Sequence, residues 1–248
     1  MSTFIRRIPT VSDRIGKIVA IGNTHSVTTD LRPLFSGTDV ADITANIQSL
    51  IATPAQVKIA STSGDDVLTS GTGAWVVQVT GLDENLEVLI ENVNLNGQTA
   101  VATSGTFYIV TKLEVIEVGT GGSNVGSIWS GTGTFTAGVP AAPLINIELG
   151  TNVSAFCAVA VPAGKSFVCD QLTIFNDDAT QNLNFQFYQY NPATGIWYET
   201  FDVHGKQSSA IIPISALPGM SEGSIMILRC AIEHSNAKIT GSIAGYLK

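Results

Sequence analysis

The sequence predicts an all-β protein built from antiparallel sheets packed as a sandwich or barrel. Apolar residues alternate at period two from Gln56 onward, turn signals recur at close spacing between those runs, and a single segment carries a helical repeat.

Residues 1–38 hold Pro9, Pro33 and short apolar clusters, and are expected to form an extended, irregular arm. A short helix is expected over 39–52, because Val40, Ile43, Ile47, Leu50 and Ile51 fall on one helical face. Asp39 can cap its first turn and Pro54 stops it. The apolar stripe of that helix must be covered, either by its own sandwich or by a neighbouring subunit.

Strand patterns follow. Val57 and Ile59 open the first, and Trp75, Val77 and Val79 alternate with Val76, Gln78 and Thr80. Val88 to Leu95 ends at Asn96-Gly97, a tight-turn signal. Phe107 to Val118 reads as a long β-branched strand, followed by Ile128-Trp129 and a loop over Ser130–Pro143 rich in Gly, Thr and Pro. Eight further strands are expected between Ile145 and Tyr246, separated by turns such as Pro162-Ala163-Gly164 and Leu217-Pro218-Gly219. The chain thus divides into an arm with its helix, residues 1–55, and a sandwich body, residues 56–248. If the body holds two successive sandwiches, they are expected to part within 119–143.

Composition narrows the function classes. Of 248 residues, 44% are apolar and 13% charged, which excludes a disordered chain. No apolar run approaches the roughly 18 residues of a membrane-spanning helix, and no export signal is visible, because Pro9, Ser12, Asp13, Arg14 and Lys17 interrupt any apolar core behind Arg6 and Arg7. A soluble protein with no membrane partner is expected. Net charge is −8, and it is unevenly placed. Residues 1–17 carry Arg6, Arg7, Arg14 and Lys17 against Asp13, a net +3, which leaves −11 on the rest. An acidic body argues against nucleic acid as a partner. The basic start either docks on an acidic neighbour or is a solvated terminus.

Catalytic and ligand motifs fare poorly. Gly219-Met220-Ser221-Glu222-Gly223 matches the G-x-S-x-G pattern, with Glu233 and His234 after it. That chemistry needs a strand–turn–helix setting, whereas Ser224–Leu228 reads as a strand, so the motif is expected to be a turn. His25, His204 and His234 lack partners at metal-ligand spacing, and the acidic turns lack a calcium-loop pattern. No metal and no cofactor is expected. Cys157, Cys169 and Cys230 sit in strand-like surroundings, as buried thiols or with one disulfide among them. Asn152-Val153-Ser154 fits a glycosylation acceptor but reads as chance without an export signal. Aromatics crowd the hairpin 185–201, where Tyr190, Trp197 and Tyr198 either fill the core or present a surface for sugars or proteins.

One ordered set of turns resembles a known family. Ala60-Ser61-Thr62-Ser63-Gly64-Asp65-Asp66, Gly71-Thr72-Gly73-Ala74, Gly81-Leu82-Asp83-Glu84-Asn85 and Glu91–Thr99 are similar to a segment common in structural proteins of tailed bacteriophages, aquatic ones especially. The likeness continues through Gly119–Ile128 and Val161–Lys165, and spans roughly residues 57–175. Trp75 stands where the family pattern usually has a basic residue. The resemblance implies a non-enzymatic virion protein of β-sandwich or jelly-roll type, with no catalytic residues to carry over. The expected role is a capsid-associated cement, decoration or head-fibre subunit, made in the host cytoplasm and resident in the virion. It would be a homo-oligomer, most naturally a homotrimer, bound to the major capsid protein or another virion protein. Its docking residues would be Arg6, Arg7, Arg14 and Lys17 of the arm and Ile43, Ile47 and Leu50 of the helix. The alternative is a tail, neck or baseplate component, with Tyr190, Trp197 and Tyr198 as a carbohydrate-binding surface.

Overall fold

A computed structural model describes residues 16–24, 32–33, 43–154, 156–176, 182–206, 209–213, 219–232 and 239–248. The expected all-β fold is present: sixteen strands and one helix among these residues, arranged in antiparallel sheets.

The elements in chain order are β1 (Gly16–Thr24), β2 (Arg32–Pro33), α1 (Ile43–Ala52), β3 (Lys58–Ser61), β4 (Ala74–Asp83), β5 (Val88–Asn94), β6 (Val101–Ala102), β7 (Phe107–Val118), β8 (Ile128–Thr136) and β9 (Val139–Ile147). After them come β10 (Ala158–Ala160), β11 (Phe167–Asn176), β12 (Asn182–Asn191), β13 (Ile196–Lys206), β14 (Ser209–Pro213), β15 (Ile225–Ile232) and β16 (Ile239–Leu247).

Two sandwiches result. In the first, the sheet β6-β3-β8-β9 packs on β5-β4-β7, with Ile59, Ile128 and Ile147 on one side of the core and Val77, Val79 and Leu113 on the other. Helix α1 packs against β7 and β9 and adds Ile47, Leu50 and Ile51 to that core. In the second, the sheets are β1-β16-β11-β14 and β10-β15-β12-β13, with β2 pairing on β15. Ile225 and Ile227 of β15 join the core of the first sandwich. The period-two pleat therefore turns Met226 and Leu228, both buried, toward the other sheet of their own sandwich.

Three sequence expectations are corrected by this topology. First, residues 16–24 are not part of a free arm. Gly16 to Thr24 pair with Leu247 to Ile239 residue for residue, so an N-terminal strand completes a sheet of the C-terminal sandwich. Secondly, Ser130–Pro143 is a hairpin rather than a loop. Ala137 (φ 48) and Gly138 (φ 82) make the tight turn that suits twisted strands, and a Cβ at Gly138 would lie 1.9 Å from the Ser61 carbonyl oxygen. Thirdly, the division does not fall within 119–143. Both hairpin strands belong to the first sandwich, and the crossing to the second comes after Ile147, before β10 begins at Ala158. The helix is described from Ile43, and residues 39–42 lie outside the described residues.

Candidate functional site

Four of the turn segments singled out above, 60–66, 71–74, 91–99 and 119–128, converge at one end of the first sandwich, around Asp66. This carboxylate is fully buried. Its Oδ1 accepts the backbone N–H of Ala74 (2.6 Å) and of Val125 (3.0 Å). Its Oδ2 accepts the Ser61 hydroxyl (2.5 Å) and the Gly126 N–H (2.8 Å). Four donors from three separate segments of the chain thus close on one side chain, which is how a buried carboxylate avoids the cost of lost hydration.

The surrounding turns interlock by backbone bonds. Gly97 N–H donates to the Asp66 carbonyl, Gly73 N–H to Asp65, and Gly119 N–H to Gly73. There is no room for side chains here: a Cβ at Gly73 would lie 2.1 Å from Asp66 Oδ1. Asn124 and Asn152 then bind each other reciprocally, each backbone N–H donating to the partner's Oδ1 at 3.0 Å. The Asn152 amide also donates to the Gly122 carbonyl, and Ser154 Oγ accepts the Leu113 N–H. The apparent glycosylation acceptor is thus employed in the scaffold. Every group in this cluster is matched to a partner within the chain, so its chemistry is that of a clasp.

A second cluster lies where the sandwiches meet. Tyr108 of β7 donates to the Gly223 carbonyl at 3.0 Å, and burial, with Tyr190 beside it, pushes its phenol well above the ordinary range. Tyr190 and Trp197, opposite each other in the β12–β13 ladder, have ring centroids 5.5 Å apart and pack on the shared core. The β4–β5 turn reaches across as well. Asp83 Oδ1 accepts the N–H of Asn85 and Glu87, and Leu86 receives the Ala163 N–H on its carbonyl.

The residues singled out from sequence are distributed as follows. Arg6, Arg7 and Arg14 lie outside the described residues. Lys17 holds a place in β1 opposite Tyr246, and Ile43 opens α1. Ile47 and Leu50, 1% and 3% exposed, are consumed by the chain's own core, so the docking role expected of them is replaced by an internal one. Tyr190 and Trp197 are part of the junction between sandwiches, whereas Tyr198 stays 40% exposed near the hairpin tip. Ser221 sits in an exposed turn with Ser224 Oγ 3.4 Å away, and strand β15 rather than a helix follows it. The neighbouring Glu222 accepts the Gly164 N–H.

Among the described residues no group of three or more His, Cys, Asp or Glu side chains comes together. No helix among them is long and apolar enough to cross a membrane. Sequence reasoning missed Asp66 and Tyr108 as organising residues. An Asp behind a Ser/Thr/Gly run was the available signal for the first, and no local pattern marks the second.

No family model matches the chain, and no curated protein matches it. Among solved structures, a chain of the structure of infectious bursal disease virus Gx strain aligns over 93% of this chain and 72% of its own length. The identity is 11% and the TM-score 0.16, a level at which the likeness carries no argument.

Proposed function

We propose that this chain is a bacteriophage virion structural protein, a capsid-associated cement, decoration or head-fibre subunit that acts by self-assembly and by docking on the coat. The observation that carries the reading is the strand order of the second sandwich. Apart from the two-residue β2, which pairs on β15, the unit has eight strands, and numbered in order the first, eighth, third and sixth form one sheet and the second, seventh, fourth and fifth the other. We read this order as the double Greek key of a jelly roll, an architecture that recurs in viral capsid and lectin domains. The first sandwich is inserted whole between strands one and two of that roll. Such a subunit has one body whose sheet pairs β1 with β16 and a second body inserted between β1 and β10, which suits anchoring with one and projecting or bridging with the other. Fold alone does not assign function; the reading also draws on the phage-like turns, which here serve a clasp and not a reaction centre.

The docking part of the reading now rests on residues 1–15, which precede β1. Deleting residues 2–15 is expected to leave a cooperatively folding protein that no longer incorporates into particles. Particle images showing normal occupancy by that variant would remove the arm from the mechanism, and images lacking density for the wild-type chain would remove the virion reading.

A second reading, a tail or baseplate module that binds carbohydrate, is favoured by the exposed Ile196 and Tyr198 beside the turn at Asn191–Gly195. Tyr198→Ala tests it better than Trp197→Ala, since Trp197 packs on the core. Loss of host-cell binding without loss of folding is the supporting result.

A further inference from the structure

The chain holds one Asn-Gly pair, Asn96-Gly97, and it forms part of the clasp. The Gly97 N–H donates to the Asp66 carbonyl at 2.9 Å, and the Gly97 carbonyl accepts the Ser61 N–H at 2.9 Å. On either side of this unit, the Asn96 carbonyl accepts the Thr99 N–H at 3.0 Å and the Gln98 amide donates to the Thr62 carbonyl at 2.8 Å. Gly97 is buried, while Asn96 is exposed. The turn also requires its glycine: Gly97 has φ 58, and a Cβ there would lie 3.2 Å from Gly64 Cα. An Asn before a glycine is the dipeptide most open to spontaneous loss of its amide, because no side chain hinders attack by the following nitrogen. The fold thus fixes the glycine that makes Asn96 reactive, and then holds the attacking nitrogen in a bond.

We propose that Asn96 is the chain's site of spontaneous deamidation, with the Asp66 clasp setting its rate. The inference stands apart from the virion reading. The Gly97 nitrogen gives up its proton to base and bonds to Cγ of Asn96. The Cγ–Nδ2 bond then breaks, and ammonia leaves, taking up a proton in place of the one Gly97 lost. Water opens the cyclic imide at either carbonyl, which restores the Gly97 N–H and leaves aspartate or isoaspartate at position 96. No electrons are gained or lost, and water is the only co-reactant. The first step, loss of the Gly97 proton, is the one that amide hydrogen exchange also needs. A buried N–H already bonded to a carbonyl takes that step only when its segment opens. The isoaspartate product carries an extra main-chain carbon between Cα of residue 96 and the Gly97 nitrogen. Gly97 then no longer spans Asp66 and Ser61 as it does now, so conversion releases this part of the clasp in one direction only.

Peptide mass spectrometry of the full chain in mildly alkaline buffer, alongside hydrogen exchange at Gly97, tests this. In denaturing urea Asn96 is expected to convert faster than any other Asn of the chain, and Asn96→Ser to remove that signal. In the native chain its conversion is expected to be at least about tenfold slower. As urea rises toward the unfolding midpoint, conversion and Gly97 exchange should climb together. Ser61→Ala, which takes one hydroxyl donor from the Asp66 carboxylate, should speed both by the same factor. If that variant folds poorly, the wild-type urea series decides alone. Native and unfolded chains converting at equal rates overturn the proposal. So does another Asn converting first in urea, or Gly97 exchange that quickens with no gain in conversion.

Discussion

Tyr108 and Gly223 are joined by a buried hydrogen bond of 3.0 Å that runs from the first sandwich to the second. The bond closes a junction already packed by Tyr190, Trp197 and Leu86. The raised phenol pKa keeps the donor protonated through any ordinary working pH. Tyr108→Phe keeps the ring and removes only the donor, leaving the Gly223 carbonyl without it. The expected cost is about 1–3 kcal/mol in a denaturant melt. An unshifted midpoint would mean that the ring alone holds the junction.

Asp66 offers a sharper test. Asp66→Ala strands three backbone N–H groups and the Ser61 hydroxyl around a fully buried position. Hydrogen bonds to a charged group contribute about 1.5–3 kcal/mol each, and losses within one network do not simply add. A loss of at least about 3 kcal/mol is expected, seen as a fall in melting temperature. Gly73→Ala should act in the same direction, because its Cβ would collide with the same carboxylate and with Val125.

Cys169 sets a pH dependence. It is buried, with Sγ 3.7 Å from the Ala244 carbonyl, and burial, reinforced by the Asp170 charge, raises the thiol from 9.0 to about 11. Between those values the folded chain holds a proton that the unfolded chain releases. The thiol's contribution is therefore intact below the ordinary value and is lost as pH rises through the window. The slope is up to about 1.4 kcal/mol per pH unit. Urea melts of Cys169→Ala and wild type at pH 8 and pH 10 should show the wild type losing more. Equal losses would remove Cys169 as the cause.

Legibility in the sequence followed the range of the interactions. Period-two alternation and turn dipeptides located β4, β5, β7 and most strands after Ala158, because pleat and turn chemistry are local. The hairpin β8–β9 was hidden by its own composition: Gly131 and Pro140 look like loop residues, yet they pack on each other across the ladder, where a Cβ at Gly131 would meet Pro140 at 2.5 Å. The place of β1 was hidden for a different reason, since its partner β16 lies at the far end of the chain and no local pattern encodes that pairing. The clasp fell between these cases. Its turns were visible one by one, but their meeting on Asp66 brings Val125 and Gly126 about sixty residues through the chain to a carboxylate they share.

Helix α1 decides between assembly and folding as the use of an apolar stripe. The sequence permitted either, since a stripe over Ile43, Ile47 and Leu50 must be covered but does not say by what. Ile47 and Leu50 lie in one cluster with core residues of β7 and β9, Leu113, Ile145 and Ile147. Leu50→Ala should therefore cost the stability of the isolated protein, about 2–4 kcal/mol from the lost burial and the cavity left behind. If the helix instead docked on a neighbour, the same change would leave the melt of the isolated chain near wild type and reduce only incorporation. Melting the variant alone, before any particle is assembled, separates the two outcomes. A shift of less than about 0.5 kcal/mol, typical of surface sites, would return the helix to the docking surface.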